Sequence, residues 1–446
     1  MTPPFSPALF TDFYELTMLQ AYFEEDMDAT AAFSAFVRHL PSQRRFLLAC
    51  GLDDVLAFLE TLRFDQPALA YLDGLGRFSP RFLRWLETFH FTGDVHAVPE
   101  GTPVFAGEPL LEIEAPLAEA QLVETFVLNQ LHLQTVLASK AARVVAAAAG
   151  RRVVDFGLRR VHGIDAGMKA ARAYHIAGVE ATSNVAAGQV YGVPVAGTMA
   201  HSYVQAHDDE AAAFRAFATL YPETVLLVDT YDTIDAVRTI VGLARELGPA
   251  FRVSGIRLDS GDLGALAAEA RAILDAAGLR DVTIFASGGL DEDAIAALVA
   301  AGAPIDGFGV GTDMGVSRDA PTLDIVYKLV EYRGRGRVKL SPEKALLPGR
   351  KQIFRVERDG RADHDVLAQR DEAMAGRPLL QPVMTGGQRI PNAARTLDQS
   401  RAHARAEIAR LPPELLGLGT GPSYPVDVSA ALARERDRLT RSRARR

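Results

Sequence analysis

The chain reads as an α/β protein: an irregular (β/α) barrel with a smaller N-terminal α/β domain. Three observations predict this. From residue 152 onward, short apolar runs alternate with alanine-rich segments of helical length over about 160 residues, as in a parallel sheet covered by helices. The runs do not alternate apolar with polar, the signature of strands buried on both faces. Polar residues gather at the carboxyl ends of the runs, where α/β barrels do their chemistry.

The runs are 153–156, 179–182, 193–197, 225–229, 255–259, 282–286 and 305–310. Helical segments fall at 164–177, 208–220, 233–247, 263–277 and 291–301. Seven such strands in a row favour a closed or nearly closed barrel over an open sheet. Upstream, 11–23 begins with a Thr11-Asp12 cap and continues at helical spacing. Residues 31–37 read as a strand ending at Arg38, and 81–89 as a helix. Residues 94–114 hold short β pieces punctuated by Pro99, Gly101, Pro103, Gly107 and Pro109, and 119–149 reads as two helices crossing between domains. The expected domains are 1–125, a barrel over 126–340, and a C-terminal segment, 341–446, packing on the first.

The length of 446 residues suits three domains, or one large barrel with a partner. With 48% apolar and 23% charged residues, the composition excludes a disordered chain, a collagen and a disulfide-stapled mini-domain. Forty-eight basic against 56 acidic residues leave a net charge of −8, so no general field attracts nucleic acid or an anionic membrane. Any phosphate must be met by local groups. Cys50 is the one cysteine; it forms no internal disulfide and excludes cysteine-rich zinc or iron–sulfur sites, and the cytosol is the simplest compartment. The first residues lack the pattern of a signal peptide, and no apolar run is long enough for a membrane span. The tail, 431–446, carries seven arginines and reads as a solvated helix end.

The strand-end residues are Asp155, Asp229, Arg257, Asp259 and Ser287. Ser287-Gly288-Gly289-Leu290-Asp291 closes one strand and opens a helix, and Gly309-Val310-Gly311-Thr312 closes the next. Glycines let backbone N–H groups approach a phosphate without a Cβ in the way, and a following helix N-terminus adds a favourable dipole. Each loop alone could be an ordinary β–α turn; together, on consecutive strands, they point to one terminal phosphate. Arg257-Leu258-Asp259-Ser260-Gly261-Asp262 offers a cation and two carboxylates. Asp259 and Asp262 suit a Mg²⁺ that keeps its waters, or a ribose diol, and a helix cap is the competing reading. His201, in Gly197-Thr198-Met199-Ala200-His201-Ser202, sits in a post-strand loop as a base, a nucleophile, a metal ligand (the poorest fit, with no second suitable His or Cys nearby in the pattern) or a plain loop histidine. In Asp155-Phe156-Gly157-Leu158-Arg159 a ring and an arginine fork three residues apart suit a planar aromatic anion, or else are a core Phe and a surface Arg.

Taken together these motifs resemble the nicotinate phosphoribosyltransferases. The likeness begins at Thr11-Asp12-Phe13-Tyr14-Glu15-Leu16-Thr17 and continues through the motifs above. It reaches Lys339-Leu340-Ser341-Pro342-Glu343-Lys344 and Pro348-Gly349-Arg350-Lys351-Gln352. The resemblance implies the type II phosphoribosyltransferase fold, paired head to tail as a homodimer with shared active sites. It implies that nicotinate and 5-phosphoribosyl 1-pyrophosphate give nicotinate mononucleotide and pyrophosphate in NAD salvage. ATP with Mg²⁺ would phosphorylate His201, and the phosphohistidine would be hydrolysed in each cycle. Phe156 and Tyr14 of the partner subunit would sandwich the pyridine, and Arg159 would meet its carboxylate. Gly288, Gly289 and Gly311 would hold the 5-phosphate, with Ser287, Gly309 and Thr312 in the same turns. Arg38, Lys339 and Lys344 would lie near pyrophosphate or ATP phosphates, and Asp229 would orient His201. Nicotinamide phosphoribosyltransferases carry an aspartate at the position of Ser183, which would repel an acid, so Ser183 favours nicotinate. Quinolinate phosphoribosyltransferases are shorter and lack the histidine loop. A phosphosugar-binding barrel isomerase or a non-catalytic barrel would account for the cradle but not for use of ATP.

Overall fold

The computed structural model describes residues 6–339, 346–391, 393 and 395–444. It divides into two compact units: Lys140–Pro321, and a larger one made of Met1–Ser139 with Thr322–Arg446. These divisions differ from the boundaries at 125/126 and 340/341 read from the sequence, and the N-terminal residues belong to the larger unit. Helix Glu124–Ala147 runs unbroken through Ser139, so its periodicity carries no mark of the boundary. Strand Ile325–Tyr332 pairs antiparallel with Thr30–Val37, which draws the chain after 322 back to the N-terminal residues.

The larger unit holds a seven-stranded sheet. Its central strands are Ile325–Tyr332, Thr30–Val37, Pro109–Pro116, Asp94–Ala97 and Gln381–Thr385. Phe33 stacks on Tyr327 across two of them, with ring centroids 4.8 Å apart, over a core that includes Leu111, Ile113 and Met384. A second sheet is built on the hairpin Lys351–Arg358 and Arg361–Gln369. Helix Phe13–Glu24 starts at Asp12, but the expected side-chain cap is not made; Asp12 Oδ2 instead accepts the Thr125 hydroxyl at 2.7 Å. The arginine-rich tail forms helix Ala430–Ala444, anchored by the buried Leu432. Among the described residues no helix is long and apolar enough to cross a membrane.

The second unit carries the parallel sheet. Its strands are β1 (Arg152–Asp155), β2 (Ala181–Thr182), β3 (Val225–Leu227), β4 (Gly255–Leu258), β5 (Thr283–Ser287) and β6 (Gly307–Val310). Their order is β2-β1-β6-β5-β4-β3, every pairing is parallel, and the result is a half-barrel with open edges. The predicted run 193–197 adds only a bridge between Val195 and Thr182. Pro194 there has no N–H to donate and only accepts from Thr182, at 2.9 Å. A closed seven-strand barrel is therefore not what the hydrogen bonds form. Leu226, Leu227, Ile256, Leu258, Ile284 and Phe308 are fully buried, as strands covered on both faces require. Helices Ile164–Ala177, Glu210–Leu220, Thr233–Leu247, Leu263–Ala276 and Glu292–Ala300 connect the strands near their expected limits. Side chains of Asp209, Asp232, Asp262 and Asp291 cap four of them, so each helix begins soon after the loop that precedes it.

Candidate active site

Loops at the carboxyl ends of these strands enclose a cavity of about 600 Å³. The loop after β1 contributes Phe156 and Arg159, and the one after β2 contributes Ser183. Residues 197–201 bring His201. From the ends of β4, β5 and β6 come Arg257 and Asp259, then Ser287, Gly288 and Gly289, then Gly309, Gly311 and Thr312. The structure thus gathers most of the residues singled out by pattern into one space.

Glycine is required at particular points of this wall. Gly288 has φ +92°, and a Cβ there would stand 1.9 Å from the Asp259 carbonyl oxygen; Gly289 has φ +63°. The N–H groups of Gly288, Gly289 and Gly311 have no protein acceptor among the described residues. Three free donors on two adjacent turns suit an anion. A Cβ on Gly309 would come within 2.5 Å of the Phe156 ring, whereas one on Gly311 would meet only the Phe156 carbonyl at 3.4 Å. Gly309→Ala is therefore expected to displace the ring and, with the planar aromatic acid that the sequence pattern suggests for Phe156 and Arg159, to raise that ligand's KM about tenfold, with Gly311→Ala milder, as steady-state kinetics will show.

Charged groups complete the space. Arg159 makes no hydrogen bond or ion pair among the described residues. Arg257 donates to the Thr198 hydroxyl, lies 3.9 Å from Asp259, and has its guanidinium carbon 5.7 Å from the Phe156 ring centroid. Burial lowers its pKa. His201 opens the short helix His201–Gln205; its Nδ1 is 3.1 Å from the Thr230 hydroxyl and its Nε2 is 3.9 Å from Asp259 Oδ2. Asp259 also accepts the Ser287 hydroxyl.

Some assignments change. Asp229 was expected to orient His201. Its Oδ2 accepts the Ser260 hydroxyl at 2.5 Å, its buried Oδ1 has no hydrogen-bond partner, and the ring contact belongs to Thr230. Asp262 caps helix Leu263–Ala276 by accepting Ala265 N–H at its Oδ1 at 3.1 Å, the competing reading of that motif, which leaves its second oxygen exposed. Tyr14, on helix Phe13–Glu24, and Arg38, paired with Asp324 at 3.1 Å, lie in the larger unit, as does the exposed Lys339; Lys344 lies outside the described residues. The sequence gives no role to Thr198, within the His201 motif, or to Thr230, which follows Asp229. Both are loop hydroxyls, and their contacts with Arg257 and His201 are tertiary facts. Among the described residues no group of three or more His, Cys, Asp or Glu could hold a metal ion by itself.

Fold and cavity define the class: an α/β protein with a ligand pocket at the carboxyl ends of a parallel sheet. The chain matches the family descriptions of the nicotinate phosphoribosyltransferase N-terminal domain over residues 9–132, the nicotinate phosphoribosyltransferase family over 151–346, and its C-terminal domain over 372–436. It belongs to the nicotinate phosphoribosyltransferase family. It is 58% identical to nicotinate phosphoribosyltransferase pncB2 of Mycobacterium tuberculosis, over 97% of this chain and 94% of that one. It is 41% identical to the nicotinate phosphoribosyltransferase of Bacillus subtilis, over 82% and 77%. The crystal structure of human nicotinic acid phosphoribosyltransferase superimposes with a TM-score of 0.86 at 30% identity, covering 96% of this chain and 99% of that one.

Proposed function

We propose that the chain joins nicotinate to 5-phosphoribosyl 1-pyrophosphate, forming nicotinate mononucleotide and pyrophosphate for NAD salvage, with ATP hydrolysed through phosphorylated His201. The observation that carries this reading is the meeting, in one cavity, of the unpaired Arg159 and the Phe156 ring with the free N–H groups of Gly288, Gly289 and Gly311. The first pair suits a planar carboxylate; the second suits a phosphate.

In this reading the pyridine nitrogen attacks C1 of the ribose as the bond from C1 to the pyrophosphate oxygen breaks. The nitrogen lone pair is already nucleophilic, so placement matters more than a base. Phe156 and Tyr14 of the partner subunit hold the ring, Arg159 holds the carboxylate, and Ser183 leaves the acid unopposed. Arg257 answers the charge that develops on the leaving pyrophosphate, and Arg38, Lys339 and Lys344 receive pyrophosphate or ATP phosphates. A Mg²⁺ would neutralise that leaving charge. The unpartnered Oδ1 of Asp229, the loosely held Oδ2 of Asp259 and the second oxygen of the exposed Asp262, whose Oδ1 caps a helix, fit its bound waters. In the ATP half-reaction a ring nitrogen of His201 attacks the γ-phosphorus, ADP leaves, and water later takes the phosphoryl group. The site works as a homodimer in the cytoplasm. Its test is a panel of nicotinate, nicotinamide and quinolinate, each with and without ATP, read by nucleotide formation. Product from nicotinate, enhanced by ATP, is expected; product from quinolinate or only from nicotinamide would refute the assignment.

A further inference from the structure

The mechanism above makes no use of Asp155. It ends β1 at 3% exposure, and nothing in the chemistry requires a carboxylate there. Its Oδ1 accepts the Gly157 N–H at 2.7 Å and its Oδ2 accepts the Thr182 hydroxyl at 2.7 Å. Thr182 Oγ1 in turn accepts the Asn184 N–H at 3.1 Å, and the Asp155 carbonyl accepts the Ser183 N–H at 2.9 Å. One residue therefore grips two loops. The first carries Phe156 and Arg159 into the cavity, and the second carries Ser183.

A buried carboxylate is costly unless its oxygens are hydrogen-bonded, and these two oxygens are satisfied from different directions. The closeness of the grip shows at Gly157, where a Cβ would stand 3.1 Å from Asp155 Oδ1 and 3.1 Å from the Gly311 carbonyl oxygen. An asparagine can accept on one side only. Either its amide would face the Gly157 N–H, donor against donor, or it would donate to Thr182 Oγ1, which already accepts the Asn184 N–H, and the buried Thr182 hydroxyl hydrogen would lose its acceptor; each arrangement loosens one of the two ties.

We propose that Asp155 is a positioning residue for the aromatic-acid pocket: by tying Gly157 to Thr182 it sets the spacing between Arg159 and Ser183, and with it the affinity and selectivity for a pyridine carboxylate. This rests on the reading of Arg159 and Ser183 as walls of the pyridine site.

The test compares Asp155→Asn, Thr182→Val, Thr182→Ser and Arg159→Ala in the full-length enzyme. It measures KM for nicotinate and for 5-phosphoribosyl 1-pyrophosphate, kcat, the nicotinate-to-nicotinamide ratio, and the thermal midpoint. Asp155→Asn and Thr182→Val are expected to raise the nicotinate KM about five- to tenfold and to narrow the ratio, leaving the other KM within about twofold. Thr182→Ser keeps the hydroxyl and should restore wild-type values. A lowered midpoint with an unchanged nicotinate KM, or an equal rise in both KM values, would overturn the proposal by making Asp155 merely structural. Should Asp155→Asn fail to fold, Thr182→Val against Thr182→Ser decides alone. Arg159→Ala separates the two levels. If it raises the nicotinate KM while the Asp155 and Thr182 variants do not, this inference alone falls; if it too has no effect, the pyridine site falls with it.

Discussion

Replacing Arg159 by alanine is expected to raise the KM for nicotinate by about 30- to 150-fold, while the KM for 5-phosphoribosyl 1-pyrophosphate stays near its wild-type value. The magnitude follows from the chemistry. A charge-assisted, two-pronged hydrogen bond to a carboxylate is worth roughly 2–3 kcal/mol, and each 1.4 kcal/mol is about tenfold in affinity. Arg159 suits this role because it makes no hydrogen bond or ion pair within the described protein, so its donors are available to a ligand. Lysine would restore the charge but not the fork, and should recover only part of the affinity. Steady-state kinetics with each substrate varied in turn checks this; an unchanged nicotinate KM would remove Arg159 from the carboxylate site.

The second large effect is expected at His201. His201→Ala should abolish transfer of the γ-phosphate from ATP to the protein, while leaving a slower transfer of nicotinate that no longer responds to ATP. Incubation with γ-labelled ATP reads this out. Wild-type protein should carry an acid-labile, base-stable label, and the variant none. A variant that still hydrolyses ATP at the normal rate would refute the phosphohistidine. Thr230, at 3.1 Å from Nδ1, orients the ring, so Thr230→Val should slow labelling while Thr230→Ser preserves it.

What the amino-acid pattern revealed, and what it did not, follows from the range over which each force acts. Buried parallel strands read as continuous apolar runs, and helices Ile164–Ala177 and Thr233–Leu247 were readable to the residue because side-chain period is local. The paired turns at Ser287 and Gly309 were readable because glycine is forced there, by positive φ at Gly288 and by the Phe156 ring at Gly309. Sheet closure was not, since it depends on which edges meet, and Val193 to Gly197 looks like a strand yet makes one bridge. Carboxylate roles were not either. Asp155, Asp229, Asp259 and Asp262 all follow or end apolar runs, but their partners are Gly157 with Thr182, Ser260, Ser287, and a helix N-terminus. Only folding distinguishes a pin, a free oxygen and a cap. The unit boundary escaped for a related reason: Thr30–Val37 and Ile325–Tyr332 are nearly 300 positions apart yet share a ladder.

Soaking nicotinate mononucleotide into crystals of the protein tests most directly whether these loops serve one reaction. The account predicts the pyridine ring against Phe156, its carboxylate on Arg159, and its phosphate among the N–H groups of Gly288, Gly289 and Gly311. A nucleotide bound with its phosphate elsewhere, or its ring away from Phe156 and Arg159, would contradict it.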